Sequence, residues 1–117
     1  MVDDYQKLDE LTDNLMKELA TCRSSGCQLA ENEAEYRKML RIEILRERES
    51  GTPVTIIGDI CRGKPDIADA KRRRDCSEAI YKASLEAINV YKLRIRTLSA
   101  QIERDWTSGG VQQGGYL

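Results

Sequence analysis

The sequence predicts an all-α fold: a long antiparallel two-helix hairpin with an ordered apolar connection, completing a helical bundle by oligomerisation. Three observations carry this expectation. Apolar residues recur at helical spacing through two long stretches. A short segment punctuated by Gly51, Pro53, Gly58 and Gly63 divides them. Charged residues make up 33% of the chain and aromatic ones only 5%, which suits solvated helix faces around a thin core. At 117 residues the chain supports one domain, residues 1–106, with a core of modest size.

The first helix is expected over about residues 5–48. Leu8, Leu11, Leu15, Leu19, Cys22, Leu29, Tyr36, Leu40 and Ile44 form its stripe. The stripe stays in phase at about 3.6 residues per turn, the spacing of a nearly straight helix rather than of a strict heptad supercoil. Ser24-Ser25-Gly26 is its weak point, because glycine costs about 1 kcal/mol in a helix interior. Either the helix breaks or kinks there, or Gly26 lets another helix approach closely; the return of the period at Leu29 favours the second.

The second helix is expected over about residues 65–106. Pro65-Asp66 is a helix-start signal, since proline tolerates the first turn and aspartate complements the positive end of the helix dipole. Tyr81, Ser84, Ile88, Tyr91, Ile95, Leu98, Ile102 and Trp106 follow at alternating spacings of threes and fours. Ile80 and Ala87 widen this face beyond a two-stranded seam, so it needs more than one neighbouring helix. Leu85 and Leu93 lie off the stripe and add to that need. The candidate oligomer interface is therefore Leu15, Leu19, Leu29, Tyr36, Leu40, Tyr81, Ile88, Tyr91, Ile95, Leu98, Ile102 and Trp106, joining copies into a dimer or higher oligomer. Residues 107–117, rich in glycine and without a period, are expected to form a flexible tail.

The connection, residues 50–64, is too apolar for an ordinary solvated loop, with Val54, Ile56, Ile57 and Ile60 inside it. It reads either as a short strand at Val54–Ile57 or as a short helix capped by Thr55 and ended at Gly63. The helical version, followed by the Pro65 start, resembles a helix-turn-helix unit and is favoured.

Charge is balanced in sum, at −1, but not along the chain. Residues 1–35 hold nine acidic and three basic side chains, a net of −6, and residues 62–74 hold six basic and two acidic ones, a net of +4. The basic cluster, Arg62, Lys64, Lys71, Arg72, Arg73 and Arg74, is the candidate anion- or partner-binding site. Arginine forks beside a helix start suit the phosphate of a nucleotide or nucleic acid, whereas the plainer reading is a solvated face that pairs with carboxylates. At least one of the four consecutive cations must point inward, where it needs a carboxylate such as Asp69, Asp75 or Glu78.

The absence of histidine removes Ser-His and Cys-His catalysis and His-ligated metals. Gly58 to Lys64 fails as a phosphate loop, because Pro65 replaces the required Ser or Thr. Glu31, Glu33 and Glu35 point in different directions around a helix and make no metal site. Cys22, Cys27, Cys61 and Cys76 are read as reduced thiols, since a spacing of five residues splays Cys22 and Cys27 about 140° apart. No catalytic residue, metal site or cofactor is expected, and neither is an enzyme. No stretch suits a signal peptide or a membrane span.

The motif formed by Arg48, Glu49, Gly51, Pro53, Val54, Thr55, Ile57, Asp59, Arg62 and Gly63, followed by residues 81–96, resembles small helical proteins of phages and prophages of Gram-positive bacteria. The resemblance spans about residues 30–106. It implies a cytoplasmic protein of the bacterial host cell, similar in scale to accessory proteins of phage replication and to phage inhibitors of bacterial defence. The hairpin is also similar to secreted WXG proteins, but the connection lacks their tryptophan turn. The expected function is thus a non-enzymatic interaction protein that binds itself and a protein partner, either inhibiting host defence or assisting replication. Phosphate binding by residues 62–74 is the alternative.

Overall fold

The computed structural model describes residues 2–114 and contains three helices: α1 (Val2–Glu49), α2 (Val54–Arg62) and α3 (Pro65–Gly114). Among the described residues there is no strand. The strand alternative for the connection is thereby excluded. No helix is long and apolar enough to cross a membrane among the described residues.

The helix ends follow from local chemistry. Gly51 has φ +85°, a conformation that side chains with a Cβ rarely adopt. From it the N–H of Gly51 reaches the Arg48 carbonyl at 3.1 Å, and the N–H of Thr52 reaches back to the Glu47 carbonyl at 3.1 Å. Those two bonds are the pattern of a Schellman stop, which satisfies carbonyls that the helix leaves unpaired. Pro53 is the N-cap of α2, with φ −56° and ψ 135° and no side-chain cap, and its carbonyl accepts from the Ile56 N–H at 3.2 Å. Thr55 therefore lies inside the helix and does not cap it. The proline ring fixes the entry φ, so the helix begins one residue after it. α3 starts at Pro65 as expected, and the Lys64 carbonyl accepts the Ala68 N–H at 2.8 Å. The bounds of α3 run through Gly114, past residue 106 where the second helix is expected to end. The rest of the expected tail, residues 115–117, lies outside the described residues.

The contacts form two compact units, one joining the chain up to Thr21 with Ser84 onward, the other comprising Cys22–Ala83. In the second unit α1 and α3 run antiparallel: Lys64 meets Glu43 and Glu47, Arg74 meets Glu33, and Ser77 meets Asn32. α2 contributes Ile57 and the fully buried Cys61. The core there gathers Tyr36, Ile67 and Ala70, with Met39 and Leu40 against it. Gly26 lies inside an unbroken α1, so the helix does not break at Ser24–Gly26. A Cβ at Gly26 would come within 3.2 Å of Tyr81 Cε1, so the glycine admits a neighbouring ring. In the first unit Ser84 is buried and donates to Glu18 Oε1 at 2.8 Å. Ile88 and Ile102 are buried in the same unit.

Burial corrects the expected period of α1 and agrees with the threes and fours expected of α3 from Tyr81 to Ile102. On α1 the less exposed positions include Leu8, Leu11, Leu15, Glu18, Cys22, Ser25, Leu29, Asn32 and Tyr36, with Gly26 and Glu33 beside them; on α3 they include Ile67, Ala70, Arg74, Ser77, Tyr81, Ser84, Ile88, Tyr91, Ile95, Leu98 and Ile102, with Asp69, Glu78 and Ala87 beside them. Both series alternate threes and fours, a period of about 3.5 that belongs to heptad packing and not to a straight stripe. Glu18, not Leu19, occupies the inward position, and Leu19 is 41% exposed.

Candidate interaction surfaces

Polar side chains at inward heptad positions are matched to one another. Asn32 Nδ2 donates to Ser77 Oγ at 2.6 Å, and Ser77 Oγ donates to the Arg73 carbonyl at 3.0 Å. Arg74 Nη1 donates to Glu33 Oε2 at 2.9 Å and Nη2 to Asp75 Oδ1 at 2.6 Å. Its guanidinium also stands 5.4 Å over the Tyr36 ring, a cation–π distance. Lys64 Nζ donates to Glu43 at 2.9 Å and to Glu47 at 2.5 Å. Every deeply buried side-chain nitrogen or oxygen among the described residues has a partner, as buried polar groups require.

These pairs shift proton affinities. Hydrogen bonds from Lys64 hold the Glu43 and Glu47 carboxyls below the usual range, with Thr52 adding to the effect at Glu47. Arg37, then Arg74, does the same for Glu33. Glu47 and Glu43 in turn raise Lys64 above the ordinary lysine range. Glu33, then Asp75, raises Arg74.

The basic cluster is consequently mostly spoken for. Arg74 is the inward cation that the sequence requires, and its partners are Asp75 and the more distant Glu33. Arg72 donates to Asp69 Oδ1 at 2.6 and 3.2 Å. Arg73 donates to Asp69 Oδ2 at 2.9 Å and lies 3.9 Å from Glu35. Arg62 is 3.5 Å from the 90%-exposed Asp59. Lys71 is exposed and is in no ion pair among the described residues. Arg62, Lys71 and Arg72 nevertheless line one shallow groove of about 590 Å³, together with Ala68, Asp75, Cys76 and Ala79. Lys64, Arg73 and Arg74 are not part of it.

A second groove of about 720 Å³ is lined by Cys22, Arg23, Gly26, Cys27, Leu29, Ala30, Glu33, Arg74, Glu78 and Tyr81. Both grooves belong to the Cys22–Ala83 unit. The four cysteines are free thiols: Cys61 is buried, Cys22 partly exposed, Cys27 and Cys76 exposed.

Of the residues expected at an oligomer interface, most turn inward. Tyr36, Ile88 and Ile102 are buried, and Leu15, Leu29, Leu40, Tyr81, Tyr91, Ile95 and Leu98 are partly buried, while Leu19 and Trp106 are exposed. Apolar side chains left open lie mainly off the seam. In the first unit they include Tyr5, Met16, Leu85, Val90 and Leu93. In the second they are Ile42, Leu45, Val54, Ile56, Ile60 and Ile80. The off-stripe positions of Leu85 and Leu93 and the apolar run of Val54, Ile56 and Ile60 flag part of this set in the sequence; Ile80, expected to widen the packed face, is instead exposed.

Compared with known proteins, the chain matches no family model, no curated protein sequence and no solved structure.

Proposed function

We propose that this chain is a non-enzymatic helical interaction protein, a two-helix hairpin that assembles with further copies into a bundle and presents that assembly to a protein partner. The observation that carries the reading is the surplus of large open apolar side chains. Met16, Val54, Ile80, Leu93 and Trp106 are each more than half exposed, against a small buried set. Single exposed leucines are ordinary, but so many in a chain with so little core mark contact surface. The heptad phase supports the same reading, since helices with apolar residues flanking the seam belong to bundles of more than two helices. Following the phage resemblance, the partner belongs to a bacterial host's defence machinery or to phage replication, and the site of action is the host cytoplasm.

The test replaces Leu85 and Leu93 with glutamate and follows melting temperature against protein concentration. Melting of an assembly rises with concentration by mass action, and the double variant flattens that dependence. A wild-type melting temperature independent of concentration overturns the reading.

A second reading, phosphate binding, is favoured by the convergence of Arg62, Lys71 and Arg72 on one groove. Binding of inorganic pyrophosphate that falls with salt and is lost in Arg62→Ala/Lys71→Ala would support it.

A further inference from the structure

The groove of Arg62, Lys71 and Arg72 combines a charged rim with a small apolar floor made by Ala68, Cys76 and Ala79. Its one carboxylate, Asp75, is engaged by Arg74. Arg62 and Arg72 on the rim are held by Asp59 and Asp69, so Lys71 is the rim cation left unpaired among the described residues, and the complement it lacks is a carboxylate.

The complement to this surface is present on the same chain. Asp9, Glu10 and Asp13 are exposed on α1 and in no ion pair among the described residues. At roughly 100° per residue, Tyr5, Asp9, Asp13 and Met16 fall within about 80° of arc on one helix face. Tyr5 is 49% and Met16 61% exposed. Like charges at spacings of three and four residues repel when unpartnered, so Asp9, Glu10 and Asp13 gain from an opposing cation. Methionine is the side chain best able to fill an irregular floor of small residues.

We propose that the acidic face of α1 in one copy, centred on Asp9, Asp13 and Met16, docks into the Arg62–Lys71–Arg72 groove of a second copy. Met16 meets the alanine and thiol floor, and the two aspartates meet the cationic rim. The contact joins unlike surfaces, so it is heterologous and propagates into a ring if the rotation closes or a filament if it does not. This inference rests on the self-association reading and adds to it a contact distinct from the Leu85 and Leu93 surface.

Charge-swap complementation tests it. Asp9→Lys/Asp13→Lys reverses one surface, and Arg62→Glu/Lys71→Glu reverses the other. Molar mass is measured by light scattering at low and high salt, with helicity followed by circular dichroism, and the neutral pair Arg62→Gln/Lys71→Gln gives an intermediate perturbation. The expected result is assembly of the wild type that weakens with salt. Each reversed variant shows an apparent dissociation constant at least about tenfold higher, since like charges across an interface oppose association. An equimolar mixture of the two then recovers assembly in alternation. If both reversed variants assemble as the wild type does, the docking is wrong while self-association stands. If the mixture stays dissociated, or reversal changes melting without changing mass, the docking between copies is likewise overturned. A groove variant that assembles normally but loses pyrophosphate binding overturns it in favour of a phosphate ligand. A wild type monomeric at every concentration removes the docking and the self-association reading together.

Discussion

Two glycines flank α2, and replacing each with alanine is expected to change stability in opposite directions. Gly51 stands at φ +85° with nothing within 4 Å of an added Cβ. Its substitution therefore meets no steric obstacle and carries only the backbone cost of the left-handed region, roughly 1–2 kcal/mol for an L-residue. Reduced freedom of the unfolded chain offsets about 0.4–1 kcal/mol of this. The net destabilisation is about 1 kcal/mol, a drop in melting temperature of roughly 4 °C for a chain of this size. Gly63 has φ −83° and ψ −9°, where alanine is at ease, and its added Cβ would lie 3.6 Å from the Asp59 carbonyl oxygen, an ordinary contact. Only the unfolded-state effect remains, so Gly63→Ala stabilises by about 0.4–1 kcal/mol. Both variants are compared with wild type by urea denaturation at one fixed protein concentration, because assembly couples to stability. A neutral or stabilised Gly51→Ala, or two shifts of the same sign, would refute the reasoning.

Further expectations follow from the polar seam and the thiols. Asn32→Ala deletes the 2.6 Å bond to Ser77 together with the exposed contacts to Gln28 and the Arg73 carbonyl, while Ser77 keeps the Arg73 carbonyl, so the loss is about 1–2 kcal/mol in urea denaturation; a loss above roughly 3 kcal/mol would show that the packing around Asn32 depends on it as well. Glu33, Glu43 and Glu47 have folded pKa values lowered by their cationic partners, so their stabilisation is complete above the unfolded carboxyl value near pH 4.3 and disappears as pH falls through the lower folded values. Urea midpoints at about pH 7, 5 and 3 are expected to hold between the first two and fall at the third, and Lys64→Met is expected to reduce that acid sensitivity. Alkylation followed by mass spectrometry is expected to modify Cys27 and Cys76 first and Cys61, 0% exposed, only on the timescale of unfolding. Equal rates at all three would mean that the packing of α2 opens readily.

Much of the helical architecture is legible in the sequence because its signals are local. Pro65-Asp66 starts α3, Gly51 ends α1, and the return of the period at Leu29 carries α1 through Gly26. The phase of the seam is less legible. A stripe drawn through apolar residues follows Leu19, whereas the folded chain places Glu18 inward, because Ser84 supplies a hydrogen bond that lies 66 residues away in sequence. Asn32 and Ser77 escape the same reading for the same reason: each looks like a surface residue until its partner is known. The α2 segment is ambiguous because a short apolar run fits a strand or a helix equally, and its start depends on the backbone of Pro53 rather than on a capping side chain. The basic cluster is evident from charge alone, and that one of its cations turns inward follows from their succession. The pairing of Arg74 with Glu33, across 41 residues, and the separation of Arg62, Lys71 and Arg72 into one groove both require the antiparallel packing of the Cys22–Ala83 unit.

The central claim, that the open apolar side chains exist to be covered by further copies, is tested most directly by sedimentation equilibrium of the wild-type chain over a wide concentration range. The expected result is a mass that rises to a multiple of the 13.3 kDa chain and falls back on dilution. A mass of one chain at every concentration, with Leu85 and Leu93 as open as in the isolated chain, would contradict it.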